Sequence, residues 1–181
     1  MRPHIERLVD GIGWRILAAL QENARIPFSE LGRQVGLSAP AVAERVRRME
    51  DAGIIRGYRA ELELAPLGLP IGAVIRMSAP EEKCPGLKAL VRTLPEVLEC
   101  HHVTGSDSFV LKVTAESVGH LEAVIEALGR WGTPTTSIIL SSPVGRRGIV
   151  DPPTSWPLRK AAVRAAAGPS SPPRRRKVTR A

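Results

Sequence analysis

The chain has 181 residues, carries 26 Lys and Arg against 18 Asp and Glu, and is 43% hydrophobic with only 3% aromatic side chains. That composition excludes wholesale disorder, a collagen-like repeat and a coiled-coil rod, and it demands an aliphatic core. Two cysteines, Cys84 and Cys100, exclude a disulfide framework, no run reaches the roughly 18 apolar residues of a membrane span, and the first residues lack a secretory pattern; two small domains in a cytoplasmic protein are expected.

The net charge of +8 is unevenly placed. Residues 1–62 carry 10 basic and 8 acidic side chains, residues 63–144 carry 6 and 9, and residues 145–181 carry 10 and 1. The basic excess belongs to the C-terminal segment, so a DNA-binding reading of the preceding chain has to rest on pattern.

Asp10 is placed to cap a first helix, in which Ile12, Ile16, Leu17 and Leu20 recur at helical spacing until Asn23-Ala24-Arg25. Ser29 is placed to cap a second, with Leu31 and Val35 inside and Gly36 as its stop. Ser38 then caps a third, with Pro40 tolerated in the first turn, an apolar stripe of Val42, Val46 and Met49, and Gly53 at its end. Residues 54–60 alternate like a short hairpin, which makes residues 1–61 a winged helix-turn-helix domain. Two prolines and a glycine mark 62–70 as a hinge.

From residue 71 the period changes. Ile71, Ala73, Ile75 and Met77 share a strand face, Leu87, Leu90, Val91 and Leu94 a helix face, and 97–103 returns to strand. A turn at Gly105, a strand over 109–114, a helix capped by Ser117 and a strand over 133–140 follow. The order β-α-β-β-α-β predicts a ferredoxin-like domain over 71–144, an α+β chain overall, with a bare sheet face that a second copy would cover. Residues 145–181 turn to Gly, Pro, Arg and Ala and are expected to be a disordered basic tail, with 159–167 turning helical on a partner.

On a wheel of about 100° per residue, with Val42, Val46 and Met49 marking the buried direction, Pro40, Glu44, Arg47 and Arg48 face outward and Ala39, Ala41 and Ala43 flank them. Such a surface suits a major groove: alanines against thymine methyls, Glu44 accepting from a cytosine amino group, Arg47 and Arg48 clamping phosphates. Arg45 lies nearer the stripe, within reach of Glu50, Asp51 or a phosphate. Ser29, Ser38 and Arg56 complete the candidate DNA-binding set, and Arg174, Arg175, Arg176 and Lys177 are candidate phosphate contacts in the tail.

Other chemistry is thinly supported. On a strand, Cys100 and His102 share a side that excludes His101, and two ligands do not make a metal site, so none is expected. No nucleophile or paired-carboxylate motif appears, and no cofactor or enzymatic activity is expected.

The residues Leu31-Gly32-Arg33-Gln34-Val35-Gly36-Leu37-Ser38, with Val42, Arg45, Val46, Met49-Glu50 and Gly53-Ile54-Ile55, resemble the DNA-binding half of the Lrp/AsnC (feast/famine) family. Leu67-Gly68-Leu69-Pro70 resembles its hinge, Glu99 to Gly105 its central strand and turn, and Thr135 to Ser141 its final strand. The resemblance implies a sequence-specific double-stranded DNA-binding transcription regulator of bacterial type, cytoplasmic and nucleoid-associated, without a membrane. It implies a homodimer formed through the ferredoxin-like (RAM) domain, tetrameric or octameric assembly, and an amino-acid effector at subunit contacts. Thr104, Gly105, Ser106, Asp107, Ser108, Thr136 and Ser137 are the implied effector residues. The family turn reads Gly-Asp-aromatic-Asp-aromatic, and both acidic positions here are serine, which leaves open a different effector, one held through Asp107, or none. Two rival readings remain: a nucleoid-type architectural protein acting through its tail, and a sirohaem-decarboxylase-like enzyme using His101 and His102.

Overall fold

The computed structural model describes residues 8–149. Of these, residues 8–59 and 146–149 belong to one unit and Ala60–Gly145 to a second. The run Arg174 to Lys177 and the segment 159–167 lie outside the described residues.

The first unit is built from α1 (Gly11–Glu22), α2 (Phe28–Val35) and α3 (Ala39–Asp51). The Asp10 carboxylate accepts from the Gly13 N–H at 2.8 Å and so caps α1. Ile16, Leu20, Leu31, Val35, Val42 and Val46 form the core, each worth about 1.5–3 kcal/mol of burial. Helix α2 begins two residues before its expected start: Pro27 occupies the capping position without a side-chain cap bond, and Ser29 lies inside the first turn. Proline's fixed φ, here −61°, sets the helix going without a hydroxyl cap.

Between α2 and α3 the chain turns sharply. Gly36 takes φ +77°, and its N–H and that of Leu37 both donate to the Gly32 carbonyl, at 2.8 and 2.9 Å. A Cβ on Gly32 would overlap the Leu37 carbonyl oxygen, so the turn closes only on a glycine at this position. Ser38 caps α3, accepting from Ala41 N–H at 3.4 Å. Beyond α3 the expected hairpin does not form: residues 54–60 hold no strand. The Ile54 and Ile55 N–H groups donate to the Met49 carbonyl, at 2.9 and 3.1 Å, and so finish the helix instead of starting a ladder.

The second unit contains β1 (Ile71–Ser78), α4 (Cys84–Val91), β2 (Val97–His102), β3 (Phe109–Ala115), α5 (Val118–Gly129) and β4 (Thr133–Ile138). Its four strands lie in the order β2-β3-β1-β4, antiparallel throughout. On the two central strands Ala73, Ile75 and Met77 pair with Val113, Leu111 and Phe109. These six face the helices and form one core with Leu87, Leu121, Val124 and Leu128. Ser117 caps α5, accepting from His120 N–H at 3.1 Å.

Strand alternation puts Val74, Arg76, Val110 and Lys112 on the opposite face, beside Thr135 and Ser137 of β4 and Glu99 and His101 of β2. Val74 and Val110 are half-buried at the centre of this otherwise polar face.

Candidate nucleic-acid interface

Val42, Val46 and Met49 are buried along α3, whereas Pro40, Arg47 and Arg48 are exposed and Ala39, Ala41, Ala43 and Glu44 lie between. The wheel thus holds, and the first turn of the helix presents small side chains with no charge before Glu44. Ser29, Ser38 and Arg56 are exposed at the start of α2, the start of α3 and just beyond its end.

Each arginine of α3 has a carboxylate partner. Arg45 does not meet Glu50 or Asp51: its two terminal nitrogens donate to both oxygens of Asp10, at 3.0 and 3.1 Å. One carboxylate therefore caps α1 and clamps α3 to it, and the hydrogen bond from Gly13, followed by Arg45, holds Asp10 below the usual carboxylate range. No spacing rule reveals this pair, since its members lie 35 positions apart and meet only when the helices cross.

Further along the helix, Arg47 donates to Glu44 through Nε at 3.1 Å and Nη2 at 3.0 Å, and to Asp51 through Nη1 at 3.2 Å. Arg48 Nε donates to the same Glu44 at 2.8 Å. These bonds, from Arg48 first and then Arg47, lower the Glu44 pKa, so the carboxylate stays charged. Arg56 and Arg59 are exposed and make no side-chain hydrogen bond among the described residues. Tyr58 donates to Glu50 at 2.9 Å, and partial burial together with that bond pushes its phenol up to about 12.

The turn between β2 and β3 is less open than its sequence suggests. Thr104, Gly105 and Ser106 are exposed, with Gly105 at φ +117°, and Asp107 is half-buried. The Ser108 hydroxyl accepts from Ala79 N–H at 3.2 Å and donates to the Ala79 carbonyl at 3.0 Å, while its own N–H donates to Met77 at 2.7 Å. It is a clip between this turn and the end of β1, with its hydrogen-bonding capacity largely spent. Thr136 pairs with Ile75 and Ser137 with Val74, so the two residues point to opposite sheet faces. The hydroxyl of Thr136 is buried with no hydrogen-bond partner among the described residues. Of the proposed effector residues, the structure therefore groups 104–107 and separates Thr136 from Ser137. On β2, the His102 ring stacks on Phe109 at 4.7 Å between centroids, an ordinary packing role, and among the described residues no group of three His, Cys, Asp or Glu is placed to hold a metal.

A helix-turn-helix followed along the chain by a βαββαβ unit is the pattern that comparison with known proteins also finds. Residues 9–50 match the AsnC-type helix-turn-helix domain and residues 73–149 the Lrp/AsnC ligand binding domain. The chain belongs to the Lrp/AsnC family. It is 42% identical over 134 residues to the HTH-type transcriptional regulator YezC of Bacillus subtilis, covering 74% of this chain and 95% of that one. The solved structure of LrpC from the same organism superposes with a TM-score of 0.73 at 31% identity, covering 76% of this chain and 99% of that one. The transcriptional regulator NMB0573 of Neisseria meningitidis, solved as an L-Met complex, superposes with a TM-score of 0.74 at 29% identity, covering 78% and 96%. This Lrp/AsnC-type chain is accordingly a DNA-binding transcriptional regulator with a ligand-binding domain, and its relatives are regulators, not enzymes. No helix among the described residues is long and apolar enough to cross a membrane.

Proposed function

We propose that the regulator binds a pseudo-palindromic duplex as a homodimer, with α3 of each protomer in the major groove and half-sites about one helical turn apart. The observation that carries this is the exposed side of α3: a small first turn of Ala39, Pro40 and Ala41, then Ala43, Glu44, Arg47 and Arg48, with Ser38 at its N-terminus. Arg47, Arg48 and Arg56 contact phosphates, and Arg45 holds the helix in register through Asp10 instead of touching DNA. Ser29 supplies a further backbone contact from the first turn of α2. The sheet face around Val74 and Val110 supports pairing of protomers, and tetramers or octamers follow from further contacts between dimers.

An amino acid or related metabolite is the effector, held by Thr104, Gly105, Ser106 and Asp107; the L-Met complex of NMB0573 supports this class. Asp107 supplies the carboxylate for an ammonium group where the family turn has other acids. Because Thr136 and Ser137 point apart, at most one of them can join that group from a given protomer. Such a ligand changes DNA affinity only through its differential binding to alternative assemblies, typically about 1–3 kcal/mol. The protein works in the cytoplasm on the nucleoid, by binding and not by catalysis. The tail adds general affinity: four phosphates neutralised by Arg174, Arg175, Arg176 and Lys177 contribute roughly −3.6 to the log–log salt slope.

The test is fluorescence anisotropy of the full chain and a 1–149 truncation on DNA upstream of its own gene and on a shuffled duplex, at two salt concentrations. A preference for the natural fragment that survives truncation, with a shallower salt slope, is the expected result. Loss of all affinity with the tail, and no preference before it, would replace the reading with an architectural one.

A further inference from the structure

Helix α3 carries three arginines and three acids, Glu44, Glu50 and Asp51, so its formal charge is zero. Its two outward arginines are both held by one carboxylate, that of Glu44, with Asp51 as a second hold on Arg47. A phosphate that takes these guanidinium groups competes with the carboxylates already bonded to them, at Nε of Arg48 and at all three nitrogens of Arg47, and Glu44 itself then sits in a groove of high negative potential. That exchange is nearly even where a base edge offers the carboxylate a donor, such as a cytosine amino group, and unfavourable where none is offered.

Resting on the assignment of α3 as the recognition helix, we propose that Glu44 is a restraint on DNA binding, holding Arg47 and Arg48 and offsetting part of their charge in the free regulator, and suppressing attachment to duplexes that give it no partner. It is a positioning residue, acting through the arginines, and its product is discrimination, not affinity. This differs from simple base reading: a base reader strengthens the right site, whereas a restraint weakens the wrong ones.

The experiment uses the full chain with Glu44→Gln and Glu44→Ala, the natural upstream fragment and its shuffled control, read by anisotropy at several salt concentrations, with thermal unfolding alongside. Expected is a gain of about 3- to 10-fold on the shuffled duplex, a smaller gain on the natural one, and a salt slope on shuffled DNA steeper by about 1 per protomer. In an Arg47→Ala, Arg48→Ala background the same Glu44 substitutions should give a clearly smaller gain on the shuffled duplex, since only the carboxylate's own repulsion from DNA is then left to remove. Weaker binding of the natural fragment with the control unchanged would overturn the proposal in favour of direct readout. Unchanged affinities with a lowered unfolding temperature would reduce the pairs to helix-surface support, and a gain just as large without the two arginines would reduce them to bulk charge; either result overturns it. A wild-type chain that binds neither duplex removes the assignment of α3 itself, a separate failure visible before any variant is made.

Discussion

The two units of this regulator use polar groups in opposite ways. In the helical unit, ion pairs supplement the aliphatic core: Asp10 and Arg45 tie two helices together, and Glu44 and Asp51 hold the arginines that face outward. In the sheet unit, joining is left to an aliphatic core on one side of β1 and β3, and polar side chains near the candidate effector turn are bonded to backbone, as Ser108 is to Ala79. A surface ion pair can be exchanged for another partner at little cost, and a hydroxyl clipped to both polar groups of a half-buried backbone residue less readily. The unit that meets many different DNA sequences carries exchangeable contacts on its outward helix, and the candidate effector turn is tied by contacts that are not.

The largest test of that contrast is Leu111→Ala, which empties the centre of the sheet-unit core and should lower that unit's stability by about 2–5 kcal/mol. Calorimetry should show one transition moving and the other staying; if both move together, the two units are one cooperative body. Gly32→Ala comes next, because its methyl meets the Leu37 carbonyl in a turn with no room to shift, at about 1–3 kcal/mol in the helical unit alone. Loss of operator preference at temperatures where the sheet unit is intact by circular dichroism is the expected sign.

Asp10→Ala removes cap and clamp together and should cost about 1–2 kcal/mol, while Asp10→Asn keeps the cap and loses the charge. Because folding lowers the Asp10 pKa, its stabilisation is present above the ordinary carboxylate range and is lost as pH falls through the lowered value. Acid titration of the wild type should therefore show the helical unit weakening at the low end of that range, and the Asn variant should lack this component. Smallest is Ser108→Ala, about 1 kcal/mol for two backbone groups of Ala79 left without their partner. If that substitution leaves stability alone and abolishes a ligand response instead, the hydroxyl is an effector contact and the contrast between the units is weaker than drawn.

Most of the architecture was legible before any coordinates, and for a definite reason. Helical spacing in α1 and α3, alternation in β1, and caps at Asp10, Ser38 and Ser117 are local signals, each settled within a few residues of chain. The outward set on α3 was legible for the same reason, since a single helix carries it. The misread places were those where one local signal overrode another: Pro27 displaced Ser29 as the start of α2, and the Met49 carbonyl at the end of α3 claimed the N–H groups of Ile54 and Ile55 where a hairpin over 54–60 was expected.

What the sequence determined by itself was thus the order of elements, their buried faces and the family. What the tertiary structure alone decided was partnership: Arg45 with Asp10 and not Glu50, Ser108 with Ala79 and not a ligand, Thr136 and Ser137 on opposite faces of one strand. Periodicity specifies which way a side chain points, but the group it meets depends on how separate elements cross and register, and that is fixed by the packing of the whole core.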